Sequence, residues 1–118
     1  MQNSKLRTLV TDSNSQWLTA PPELSLLQDE IHVWRMELDQ PESKIKQFGK
    51  LLSEDELARA ERLYFQQHRQ RFTVGRGMLR TILSRYLNVT PQEIQFAYEA
   101  FGKPVLAEPF KDSQVWFN

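Results

Sequence analysis

The pattern of hydrophobic and polar positions divides the chain into a strand, three helices and two or three further strands. Residues 31–38 alternate between two faces, which predicts a strand with one side buried. A short helix is predicted over residues 42–51. Residues 1–29 are polar and mostly aperiodic, so we predict an extended N-terminal arm with Trp17 as its candidate anchor, followed by one folded domain over residues 30–118.

A capping box marks the start of the second helix. Ser53 and Glu56 have the spacing at which each side chain accepts a hydrogen bond from the other residue's backbone amide. The helix is predicted to run to about Tyr64 and to bury Leu57, Ala60 and Tyr64.

The longest helix is predicted over residues 69–87. Apolar residues recur there at spacings of three and four and define one stripe, formed by Phe72, Gly75, Leu79, Ile82, Leu83 and Tyr86. A glycine inside a helix costs about 1 kcal/mol relative to alanine. We therefore predict that another backbone element approaches closely at Gly75, and that the flanking arginines form a solvated face.

The last third of the chain reads as short strands. Thr90 to Glu93 repeats the capping pattern with proline at the first helical position, which predicts a single turn. Residues 94–98 then alternate as a strand, Gly102-Lys103-Pro104 turns the chain, residues 105–106 pair back, and residues 115–118 begin another strand. The order of elements predicts an α+β fold.

Composition narrows the function classes. Fifteen basic and fifteen acidic residues give a formal net charge of zero, so global charge favours neither nucleic acid nor an anionic membrane. The chain has no cysteine, which excludes disulfides, zinc-thiolate sites and thiol nucleophiles. No apolar run approaches membrane-spanning length, so a cytoplasmic protein is expected.

Charge is nevertheless segregated along the sequence. Between residues 59 and 86 there is one acid and seven arginines: Arg59, Arg62, Arg69, Arg71, Arg76, Arg80 and Arg85. A local basic element on a neutral protein suits a compact anion better than a long polyanion. A small basic-helix domain that binds nucleic acid, or a protein-interaction module, stays open as an alternative.

Two basic residues are candidates for binding a phosphate. Lys103 stands between Gly102, which permits close approach of the backbone, and Pro104, which fixes φ. The same tripeptide also fits an ordinary hairpin turn with a solvated lysine. Arg59 follows the acidic first turn of its helix, and a guanidinium suits bidentate contact with phosphate. No catalytic constellation and no metal-ligand spacing is visible.

Taken in order, these motifs resemble the N-terminal half of an Sfp-type 4′-phosphopantetheinyl transferase. The resemblance covers residues 31–118. It is carried by His32-Val33-Trp34, Leu52-Ser53-Glu54-Asp55-Glu56, Arg59 and Arg62, Arg69-x-Arg71-Phe72, Gly75-Arg76-x-x-Leu79-Arg80, Phe101-Gly102-Lys103-Pro104 and Phe117-Asn118, the last matching the opening of the family's Phe-Asn-x-Ser-His signature.

The resemblance implies a function. Enzymes of this family use Mg²⁺ to transfer the phosphopantetheine arm of coenzyme A to a serine of an acyl or peptidyl carrier protein. Their fold is a pseudo-dimer of two α+β halves with coenzyme A in the cleft. It implies that Arg59 binds the 3′-phosphate, that Lys103 with Gly102 and Pro104 lies beside the nucleotide, and that Arg71 matches a position that is basic in many members. Glu56 stands where some members carry a second lysine.

The resemblance also implies that the C-terminal catalytic half is absent from this chain. The Ser-His pair, the Mg²⁺-binding aspartate and the Trp-x-x-Lys-Glu-Ala motif belong to that half, so no catalytic or metal-binding residue is assigned here. We expect the isolated chain to be inactive and to pair with the other half, or with itself, through an exposed apolar surface. Neither a nucleic acid nor a membrane is an expected partner.

Overall fold

The computed structural model describes residues 7–10, 18–21, 24–26 and 30–118. These residues form two compact units, one ending at Leu38 and the other covering Asp39–Asn118. Trp17, the candidate anchor of the arm, lies outside the described residues. The division into an arm and a domain after residue 29 stays a prediction.

The first unit contains a three-stranded antiparallel sheet. Its strands are β1 (Arg7–Val10), β2 (Leu18–Thr19) and β3 (His32–Arg35), in the order β2-β1-β3. Along β3, burial alternates between half-buried and exposed residues, as the period of two predicted. The strand is shorter than predicted, but its two faces are correctly assigned.

The second unit begins with three helices, α1 (Glu42–Gly49), α2 (Glu54–Glu61) and α3 (Gln66–Leu87). The predicted capping box is confirmed at the start of α2. The end of α2 was predicted three residues too late, because the chain leaves the helix at Arg62 and starts α3 at Gln66. Two residues predicted to be buried are exposed, Leu57 within α2 by 43% and Tyr64 beyond its end by 87%.

The buried face of α3 differs from the predicted stripe. It is formed by Val74, Gly77, Met78, Arg80, Leu83 and Ser84. A Cβ atom on Gly77 would lie 2.7 Å from Cβ of Phe48, so α1 crosses α3 at this glycine. The close approach predicted at Gly75 was placed two residues too early, because the aromatic residues Phe72 and Tyr86, which set the predicted phase, are only half-buried.

After the helices, the unit contains an antiparallel hairpin of β4 (Phe96–Tyr98) and β5 (Pro104–Leu106), in which Tyr98 is the partner of Pro104. A 3-10 turn over Pro91–Glu93 precedes it and has the predicted capping box. Leu83, Ile94 and Leu106 form a small core between α3 and the hairpin. The α+β prediction is confirmed.

The strand predicted at residues 115–118 is wrong. That segment forms no strand, and the residue before it, Gln114, has a left-handed φ of 65° that interrupts an extended path. Val115 and Phe117 pack against the core under the hairpin instead. The alternation of apolar and polar residues over 115–118 therefore reflects alternating burial of the side chains and not pairing with another strand.

Candidate anion-binding site

The turn between β4 and β5 holds Lys103 on a fixed backbone. The Gly102 amide donates to the Glu99 carbonyl at 3.0 Å, and the Glu99 amide donates to the Lys103 carbonyl at 2.9 Å. Phe101 and Gly102 have φ values of 69° and 82°, so the chain turns through two successive left-handed residues. The predicted turn is confirmed, and it leaves Lys103 exposed at the start of β5.

Arg59 lies on α2 and stacks on the last residue of β4. Its Cζ atom is 4.0 Å from the centre of the Tyr98 ring. Its Nε atom is 3.5 Å from Oδ2 of Asp55, one helical turn earlier. A guanidinium stacked on a ring keeps its N–H groups in its own plane, where they can meet an anion at the edge.

These contacts bring Arg59 and the Gly-Lys-Pro turn to one end of the hairpin. Tyr98, which carries the Arg59 guanidinium, is the cross-strand partner of Pro104, and Lys103 is the neighbour of Pro104 in the chain. Arg59 and Lys103, the two candidate phosphate-binding residues, are 44 positions apart in the sequence and both lie at this end of the β4–β5 hairpin. We call this end of the hairpin, with Arg59 and Lys103, the rim. Two cations there can neutralise the charge of a compact phosphate.

A buried carboxylate lies behind this rim. Glu56 is only 1% exposed, and each of its carboxylate oxygens accepts from an arginine of α3. Arg80 Nε donates to Oε1 at 2.7 Å, and Arg76 Nη1 donates to Oε2 at 3.0 Å. Burial by itself raises the pKa of Glu56, but the hydrogen bonds from Arg80, the Ser53 amide and Arg76 outweigh it and bring the pKa below its ordinary value.

Arg76 and Arg80 also donate hydrogen bonds to groups other than Glu56. Arg80 also donates to the backbone carbonyls of Pro91 and Ile94, at 2.9 and 2.8 Å, and so ties α3 to the chain that leads into β4. Arg76 donates to the Tyr98 hydroxyl oxygen at 2.7 Å. One carboxylate and two guanidinium groups leave one positive charge in excess beside Tyr98, with Cζ of Arg76 5.8 Å from the centre of the Tyr98 ring.

Sequence reasoning assigned Glu56 to a helix cap, and the resemblance placed it where some members carry a second lysine. The cap is present, since the Ser53 amide donates to Oε1 of Glu56 at 2.9 Å. Because the same carboxylate is buried against two arginines, Glu56 does not face the surface on which a lysine at this position could meet a phosphate. Arg76 and Arg80 are four residues apart, which places both on one face of α3, and this spacing was the available signal.

Arg71 is separately engaged. Its Nε and Nη2 atoms donate to the two carboxylate oxygens of Asp39 at 2.9 and 3.0 Å. The hydrogen bond from Arg71 holds the pKa of Asp39 below its ordinary value, and the same bond raises the pKa of the Arg71 guanidinium. An anion at this position would have to compete with a bidentate carboxylate.

The solvated face predicted for the arginines of α3 is wrong for Arg76 and Arg80, whose side chains are only 10% and 4% exposed. Arg69 donates to the carbonyls of Leu63 and Tyr64, both at 2.8 Å, and so closes the α2–α3 connection. Together with the arginines bound to Asp39 and Glu56, at least four of the seven arginines in the basic run donate hydrogen bonds to acceptors of the protein itself. This removes most of the continuous basic surface that a nucleic acid would need.

Two further properties concern the described part of the chain only. Its residues contain no group of three or more histidine, cysteine, aspartate or glutamate side chains placed to hold a metal ion. None of its helices combines the length and the apolar composition that crossing a membrane requires.

Comparison with known proteins identifies the family. Residues 34–118 match the family described as “4′-phosphopantetheinyl transferase, N-terminal”, a range that contains all three helices and the hairpin. The chain belongs to this 4′-phosphopantetheinyl transferase family. No solved structure matches it.

Two curated relatives of this chain come from cyanobacteria. The 4′-phosphopantetheinyl transferase HetI of Nostoc sp. (strain PCC 7120) is 55% identical over 102 residues, which cover 86% of this chain and 43% of HetI. A candidate 4′-phosphopantetheinyl transferase of Synechocystis sp. (strain PCC 6803) is 41% identical over 86 residues, which cover 73% of this chain and 34% of that protein. The chain thus spans less than half the length of either relative.

Proposed function

We propose that this chain is the coenzyme A-binding half of a 4′-phosphopantetheinyl transferase. The complete enzyme would transfer phosphopantetheine from coenzyme A to a serine of an acyl or peptidyl carrier protein. Membership of the family and the 55% identity to HetI support the reaction class. The placement of Arg59 and the Gly-Lys-Pro turn at one end of the hairpin supports the part taken by this half.

The proposed division of labour follows from the charges. Coenzyme A carries a 3′-phosphate and a pyrophosphate, and the hairpin end offers two cations of different character. The planar guanidinium of Arg59 suits the oxygens of a terminal phosphate, whereas the flexible ammonium of Lys103 acts as a point charge beside the nucleotide. The excess positive charge of the buried Glu56 cluster strengthens the field at the same place.

In the transfer, the serine oxygen forms a bond to the β-phosphorus while the bond to the leaving adenosine 3′,5′-bisphosphate breaks. By holding the nucleotide, Arg59 and Lys103 would position the phosphorus and stabilise the leaving group. When bound, Mg²⁺ neutralises charge on the pyrophosphate oxygens. Its ligands and the groups that move the serine proton would belong to the part of the enzyme beyond the matched range, so the chain alone would be inactive.

The proposed partners are coenzyme A, the carrier protein and the other half of the enzyme. Arg71, bound to Asp39, would take a secondary part at most in holding coenzyme A. The absence of cysteine is compatible with the cytoplasmic location expected from the sequence.

The test is a pair of titrations of the complete protein that contains this chain, with coenzyme A and with dephospho-coenzyme A, which lacks the 3′-phosphate. Arg59→Ala should weaken coenzyme A binding by roughly 10- to 150-fold and leave dephospho-coenzyme A unchanged, because one charged contact contributes about 1.5–3 kcal/mol. Lys103→Ala should weaken both ligands. Arg62→Ala and Lys111→Ala, each at an exposed position, serve as matched controls.

Transfer is measured in parallel with labelled coenzyme A and an apo carrier protein. Modification of the carrier serine by the complete protein, and none by residues 1–118 alone, is the expected result. A complete protein that modifies no apo carrier protein would remove the transferase proposal. Equal affinity of the native protein for the two ligands would remove the assignment of Arg59.

A further inference from the structure

We propose that Tyr98 is a positioning residue, which holds the Arg59 guanidinium for the 3′-phosphate and is itself held by Arg76 and Glu56. The inference rests on the proposed function, since it concerns how the phosphate-binding arginine is oriented. Neither the family match nor the resemblance assigns a part to this contact.

The first step is the contact between Tyr98 and Arg59. With Cζ 4.0 Å from the ring centre, the guanidinium lies against the ring, and the side chain is 35% exposed. Its nearest carboxylate, Asp55, is 65% exposed and lies at 3.5 Å from Nε. Arg59 Nε is itself buried and makes no hydrogen bond to a described residue, and a carboxylate as exposed as that of Asp55 orients an arginine weakly, so the ring is the stronger constraint on the plane of the guanidinium.

The second step is the anchoring of the ring. The Tyr98 hydroxyl oxygen accepts from Arg76 at 2.7 Å, and the Arg76 side chain is only 10% exposed. Arg76 also lies 5.1 Å from the centre of the Phe72 ring and 5.2 Å from that of Phe96. Held by Glu56 and surrounded by these rings, Arg76 has little freedom to move. Its hydrogen bond to the Tyr98 hydroxyl therefore restricts the orientation of the Tyr98 side chain.

The third step is that the contacts form a closed circuit that passes through α2, α3 and β4. Glu56 of α2 binds Arg76 of α3, Arg76 binds Tyr98 of β4, and the Tyr98 ring returns to Arg59 of α2. Glu56 and Arg59 are three residues apart on the same helix, so the first and the last residue of this circuit lie on one helical turn. Tyr98 also precedes the turn that carries Lys103, but backbone hydrogen bonds hold that turn, so the Tyr98 side chain positions Arg59 and not Lys103.

The experiment measures discrimination, defined as the Kd for dephospho-coenzyme A divided by the Kd for coenzyme A, in the complete protein. Tyr98→Leu should lower discrimination by roughly 2- to 30-fold, the range of a cation–π contact, through weaker coenzyme A binding alone. Tyr98→Phe keeps the ring but removes the acceptor for Arg76, so it should give a smaller loss. Thermal melts of both variants check that they fold, and Tyr98→Phe carries the test should Tyr98→Leu not fold.

A double variant separates positioning from direct binding. In an Arg59→Ala background, Tyr98→Leu should have no further effect on discrimination, because nothing is left to position. Unchanged discrimination in folded Tyr98→Leu would overturn the inference and leave the proposed function intact. If Tyr98→Leu does not fold, unchanged discrimination in Tyr98→Phe has the same meaning. An equal loss of affinity for both ligands would also overturn the inference. Unchanged discrimination in Arg59→Ala would instead show that the proposed function assigned the wrong phosphate ligand.

Discussion

Replacing Glu56 by alanine tests whether its buried carboxylate organises the second unit. The change leaves Arg80 and Arg76, whose side chains are 4% and 10% exposed, without their shared partner. Removing one member of a buried ion pair costs about 3–5 kcal/mol. Arg80 keeps two carbonyl acceptors, so we expect the lower end of that range, about 3 kcal/mol.

The loss is large against the roughly 5–15 kcal/mol by which a domain of this kind is stable. It is measured by urea unfolding followed by circular dichroism, in which the midpoint falls and the slope stays constant. Glu54→Ala is the matched control, because Glu54 lies in the same first turn of α2 but is exposed. Its loss should stay below about 1 kcal/mol.

Glu56→Gln separates the charge from the cap. A glutamine of similar size can still accept from the Ser53 amide, so its loss should fall between those of the two alanine variants. Equal losses for Glu56→Ala and Glu54→Ala would refute the reasoning, because they would show that Glu56 contributes only what any acid in this turn contributes.

Two further predictions follow from the packing and from the titration of the same region. Gly77→Ala should cost about 1–3 kcal/mol in unfolding free energy, because the new Cβ would lie 2.7 Å from Phe48, whereas Gly49→Ala, whose Cβ would meet Thr73 Cγ2 at 3.7 Å, should cost less than about 1 kcal/mol; equal midpoints in urea would contradict this. The lowered pKa of Glu56 stabilises the fold above the ordinary value of 4.5 and loses that contribution as the pH falls through the folded-state pKa. The stability difference between the native protein and Glu56→Gln should therefore shrink on acidification below 4.5, and a pH-independent difference would contradict the assignment.

Local signals in the sequence were sufficient for most of the elements and for some of their ends, such as the first residue of α2. The box of Ser53 and Glu56, the alternation around His32 to Arg35 and the Gly-Lys-Pro turn each depend on neighbours within a few residues, and each is confirmed. The end of α2 was misplaced because the hydrogen bonds from Arg69 to Leu63 and Tyr64, which stabilise the connection, come from the next helix. Such a bond leaves no periodic trace in the sequence.

By itself, the sequence determined the α+β class, the capped helices, the turn that carries Lys103 and, through the order of its motifs, the family to which the chain belongs. Only the tertiary structure decided which face of α3 is buried, that Glu56 lies inside and not on a phosphate-binding surface, and that Tyr98 joins Arg59 to the hairpin. The physical reason is one of range. Caps and turns are fixed by backbone hydrogen bonds between near neighbours, whereas a buried ion pair is set by how the helices pack.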